Sequence, residues 1–259
     1  MLPPVDIAHV ALEARRLCAE LAQCHADTGA EPGLDPANLC DALQQGLAAL
    51  DALGSCVQWP SPMPGQPHYL NVAAGPPATG ARDLDTLGNE CIDLLGRLAA
   101  LAGRLRLPQH ARQVEALALP LACWMARRGG ELAHPAPVVN AAGALANSTK
   151  APDELAALYG LMSEVVDALS PKVTQDGELA DSTRPWRVLL LNRAIVATRS
   201  HRPDLMESAF KAVVDGLPGD APEFFREAMG QMEALNYPPQ VRTVVQRYAD
   251  AWCVRRTLH

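Results

Sequence analysis

The sequence predicts an all-α protein, and three observations carry the prediction. Leu and Ala dominate an apolar fraction of 49%, while only three Phe and four Tyr occur, a balance that favours helix over the β-branched and aromatic mixture that fills strands. Apolar residues recur at the helical period from one end of the chain to the other. Proline and glycine fall mainly between those stripes, where they punctuate turns. The expected architecture is a stack of antiparallel helical hairpins, either an α-solenoid or an irregular helical bundle.

The elements follow in order. Ile7, Val10, Ala14, Leu17, Cys18 and Leu21 give a first helix of about five turns. Asp35 before Pro36 reads as an N-cap followed by proline at the first helical position. Leu39, Leu43, Leu47 and Leu50 then supply the stripe of a second helix ending near Gly54, so residues 1–54 read as an N-terminal helical hairpin. Residues 55–81 break the pattern, because Pro60, Pro62, Pro64, Pro67, Pro76 and Pro77 cannot continue a helix. A minor β-hairpin within 55–73, pairing Cys56–Trp59 with Tyr69–Val72, is one expectation there; an extended loop pinned by Trp59 and Tyr69 is the other. A loop of that length is either functional or an interdomain linker.

Beyond it, 82–259 reads as a helical-repeat domain, with one continuous domain over 1–259 as the alternative. Leu84, Leu87, Cys91, Leu94, Leu95, Leu98 and Leu101 form the cleanest stripe. Pro108 opens a helix that stops at Gly129-Gly130, and Pro120 inside it implies a kink or a later start. Pro137–Asn147 is short and rich in small residues, and Leu155 to Leu169 forms the next stripe, ended by Ser170-Pro171. Thr174–Thr183 reads as a loop. The helix opened by Pro185 carries Val188, Leu191 and Ile195 beside its stripe of Trp186, Leu189, Leu190 and Ala197, so it is expected to be flanked on more than one face.

From about 184 to 256 the chain reads as two hairpins, 185–199 with 204–215 and 221–235 with 239–255. Pro185 and Pro222 open corresponding helices 37 residues apart; Trp186 opens the first helix and Pro218 closes the second. These features resemble a tetratricopeptide-like α-solenoid repeat, although Leu190 stands where that pattern keeps a small residue. The resemblance implies a stacked superhelix whose concave groove holds a peptide or protein partner.

Charge and cysteine usage narrow the function classes. The net charge is −7, distributed as −9 over 1–180 and +2 over 181–259, and no basic tail or patch is present. Nucleic acid and anionic membrane are therefore poor partners, while the last third is compatible with an acidic partner. Seven cysteines at 18, 24, 40, 56, 91, 123 and 253, without a CxxC, read as reduced thiols in a cytoplasmic protein. No secretory leader is evident, and no apolar run approaches the ~20 residues that cross a bilayer.

Candidate chemistry is sparse. Cys18 and His25, seven apart, lie on nearly one helical face with Cys24 adjacent, but without a further ligand, such as Cys40 from the next helix, they are better explained as buried thiols and a helix-end histidine. Asp27, Glu31 and Asp35 miss the calcium-loop spacing. The chain has no GxGxxG, GxxxxGK[ST], HExxH or GxSxG, and neither a cofactor nor a metal is expected. Arg184 and Arg187 open a helix where cations oppose the dipole, which can mark a site for an anionic partner; a salt bridge to Asp181 or Glu178, or simple solvation, is the favoured alternative. Among Phe224, Phe225, Tyr237, Tyr248 and Trp252, exposure of Phe225 or Trp252 would signal an interface; burial would make them the core of the last hairpin. The function expected is a non-catalytic helical-repeat module for protein–protein interaction that could self-associate as a homodimer. The alternative is an all-α enzyme or small-ligand binder with a pocket under the 55–81 loop, lined by Trp59, His68 and Tyr69.

Overall fold

In a computed structural model, residues 2–28, 35–56, 79–175 and 184–253 are described. Their regular structure is helical: α1 Ile7–Thr28, α2 Ala37–Cys56, α3 Thr79–Arg104, α4 Pro108–Ala116, α5 Ala118–Ala126, α6 Ala136–Ser148, α7 Pro152–Asp167, the single turn α8 Pro171–Gln175, α9 Pro185–Arg199, α10 Pro203–Gly216, α11 Ala221–Ala234 and α12 Pro239–Cys253. The protein is all-α. Among the described residues, β pairing amounts to one isolated parallel bridge between Leu132 and Leu169. The β-hairpin expected in 55–73 lies almost wholly outside the described residues; Ser55 and Cys56 are the last residues of α2.

Side-chain caps and prolines mark several of the helix starts. Asp35 accepts the amide of Ala37 at 2.9 Å, fulfilling the cap read from Asp35-Pro36. Asp6 does the same for Ala8 and His9. The helix opened by Pro108 breaks at Leu117, and Pro120 sits in the first turn of α5, where its missing N–H costs nothing. Residues 171–175, expected to lead directly into a loop, form the extra turn α8.

The chain divides into two compact units, and the division falls within α6 and α7 rather than at 55–81. Helices α2 and α3, which flank that segment, pack on each other within one unit, so 55–81 connects neighbours and is not a domain boundary. The unit formed by 3–145 and 164–180 is organised around α5, in which every residue is buried; a helix without a polar face must be covered on all sides. In this unit α1 and α2 run antiparallel, with Ala11 and Arg15 beside Gln44, Ala48 and Asp51. The buried thiols of Cys18 and Cys40 meet by hydrogen bonding further along. Close approach depends on Gly46 and Gly88, where a methyl group would overlap Cys91 and Met125.

The second unit, 146–163 with 181–259, contains the two hairpins read from the sequence. Gly216 at the end of α10 lies against Trp186 and Leu190 at the start of α9, so these helices are antiparallel. Cys253 at the end of α12 donates to the carbonyl of Pro222 at the start of α11, and Arg242 donates to that of Met232 near its end. The hairpins join through an aromatic core: Phe210, Phe225 and Tyr248 sit with ring centroids 5.2 Å apart.

Candidate interaction groove

Stacking two antiparallel hairpins places their first helices, α9 and α11, side by side and parallel. Two contacts fix that register. At the start of both helices, the Arg187 guanidinium forms a bidentate pair with Asp220, at 2.7 and 2.6 Å. At their ends, His201 and Tyr237 meet edge to face with centroids 5.5 Å apart.

Between these contacts the helices enclose a groove of about 620 Å³. Ile195, Thr198 and Arg199 form one wall; the other runs along α11 from Phe224 through Glu227, Gln231 and Met232 to Leu235, closed by Tyr237. From Phe224 to the C-cap Leu235 that wall takes twelve residues, or roughly 16 Å at 1.5 Å per step.

The groove is apolar and open. Only three large apolar side chains are strongly exposed among the described residues, and two of them, Ile195 at 44% and Leu235 at 62%, face this groove. Met232 lies beneath them, buried. Solvent exclusion pushes the Tyr237 phenol above its ordinary pKa, with Arg199 opposing the shift. Arg199 is held at the edge by donation to the carbonyls of Ala146 and Thr149, at 2.6 and 2.7 Å. Gly230 adds room, because a Cβ there would meet nothing within 4 Å, although glycine inside a helix costs about 1 kcal/mol relative to alanine.

The residues singled out from sequence occupy different places. Arg187 pairs with Asp220, whose carboxyl is held below its ordinary pKa first by the guanidinium hydrogen bond; Asp181 and Glu178 lie outside the described residues. Arg184 is half-buried at the N-cap of α9, with Nη1 enclosed and without an acceptor among the described residues. Phe225 is fully buried and belongs to the core rather than to a surface, because α10 and α12 close over it. Trp252 is half-buried in the last turn of α12. Trp59, His68 and Tyr69, and with them the pocket expected under the 55–81 loop, lie outside the described residues.

The groove residues themselves escaped the sequence reading. Leu235 reads as the end of a buried stripe and Ile195 as one more covered face of a central helix. The available signal was a surplus: α9 carries apolar residues on more faces than its neighbours cover.

No helix among the described residues is long and apolar enough to cross a membrane. No protein-family model, curated protein or solved structure matches the chain.

Proposed function

We propose that the second unit is a tetratricopeptide-like, non-catalytic interaction module that receives a protein or peptide segment in the groove between α9 and α11. The observation that carries this reading is the convergence of Ile195 and Leu235, exposed, on one apolar channel of about 620 Å³. Exposed leucine and isoleucine forgo the roughly 1.5–3 kcal/mol each would gain on full burial. An exposed apolar cleft rimmed by polar residues is the usual mark of an interaction site.

The antiparallel hairpins and the parallel α9 and α11 support the repeat reading, since in such stacks the first helices of successive units line the concave face. The arrangement also explains why Arg187 is an architectural residue: its pair with Asp220 sets the spacing of the two walls.

The test compares proteins recovered from source-cell extract by the wild-type chain and by the Ile195→Asp and Leu235→Asp variants. Both variants are expected to keep the wild-type unfolding temperature within about 2 °C, because surface substitutions change stability by only about 0.5 kcal/mol. Both should lose a partner that the wild-type chain retains. Recovery of the same proteins by all three chains would refute the reading.

A further inference from the structure

The charge that a groove leaves unpaired states what its occupant must carry. The slight basicity of residues 181–259 is compatible with an acidic partner, but most arginines of this unit already have hydrogen-bond partners. Arg187 binds Asp220, Arg199 caps the backbone at Ala146 and Thr149, and Arg202 pairs with Asp204. Arg247 pairs with Glu207, and Arg242 donates to the carbonyl of Met232. Arg193, only 6% exposed, donates to Ser163 and lies over the Tyr159 ring. Arg226 is exposed on α11 but does not line the groove.

The acidic side chains are arranged differently. Glu227 stands on the groove wall, exposed and with neither an ion pair nor a hydrogen bond among the described residues. Glu223, one turn earlier on α11, is also exposed and unpaired among them. Among the described residues the one cation lining the groove is Arg199, whose guanidinium is turned to the neutral carbonyls of Ala146 and Thr149, which fix its position without cancelling its charge. The groove therefore offers apolar anchoring positions at Ile195, Phe224 and Leu235 with a free carboxylate between them.

Resting on the function proposed above, we infer that the occupant is an apolar peptide segment bearing a lysine or arginine that meets Glu227. The roughly 16 Å wall matches about three turns of a helix, on which an apolar i, i+3, i+4 face and one flanking cation would satisfy anchors and carboxylate together.

The test pans a random peptide library displayed on phage against the full chain, then measures the selected peptides by fluorescence anisotropy. Peptides that use the groove should lose at least tenfold in affinity on Gly230→Leu, which fills the channel without removing a core side chain. They should carry Lys or Arg, and replacing that residue with Gln should weaken binding about three- to fivefold, as expected for a partly exposed ion pair. That penalty should vanish on Glu227→Gln but persist on Glu233→Gln, an equal change of net charge on the same helix. Groove-dependent peptides without a basic preference would overturn this inference while leaving the groove's function intact. Peptides indifferent to Gly230→Leu would overturn both. A dimer in sedimentation that Gly230→Leu dissociates would assign the groove to a second copy. A more than tenfold gain in affinity for the chain ending at Cys253 would assign it to residues 254–259. Either result would also overturn the inference.

Discussion

At the residue scale, individual side chains close the helix ends and the turns between them. Asn89, buried on α3, donates to the carbonyls of Asp85 and Glu131 at 2.7 and 2.8 Å and accepts from the amides of Ala133 and His134. Asn89→Leu keeps the branched outline of the side chain but strands these backbone groups and adds bulk, and is expected to cost about 2–4 kcal/mol in denaturant unfolding. Arg106 has φ of 59°, while its own amide and that of Leu107 bond back to Gly103 and Ala102. That is a Schellman ending with an arginine where glycine fits best. Arg106→Gly is expected to stabilise the protein by about 0.5–1 kcal/mol, read as a higher unfolding temperature. Neither feature was legible in the sequence. Asn89 falls among the apolar residues of the α3 stripe, and three of its four partners lie more than forty residues away. The caps at Asp35 and Gly129 were legible because their chemistry is local.

At the element scale, stripes and proline positions located the helices to within a few residues, notably α9 to α12, because amphipathic periodicity survives whatever the helix packs against. What they could not give is the partner of each charged side chain. Arg187 reads as a cation opposing the dipole of α9, yet its partner, Asp220, lies 33 residues away at the entrance to α11. This pair has a pH signature. The folded-state pKa of Asp220 is depressed, so its contribution is fully present above the ordinary carboxylate value near 4 and is lost as pH falls through the depressed value. Arg187→Ala is expected to lower unfolding free energy by about 1–2 kcal/mol at pH 6. The difference from wild type should shrink steadily below about pH 4. A difference independent of pH across that range would mean the pair does not hold α9 to α11.

At the scale of the whole molecule, composition was enough to establish the all-α class, whereas the division into units was not legible. A proline-rich stretch looks like a linker, but α2 and α3 pack across it, while the division falls within α6 and α7. The groove was illegible for a related reason. A stripe shows which side chains avoid water, not which of them find no neighbour. The exposed apolar residues offer an internal comparison, since Leu12 on α1 is 59% exposed and does not line the α9–α11 groove. A photo-crosslinking phenylalanine analogue placed at position 235, and separately at position 12, and irradiated in source-cell extract is the most direct test that the α9–α11 groove is the docking surface. The expected result is a discrete adduct from position 235 and none from position 12. No adduct at 235, or the same adducts from both positions, would contradict it.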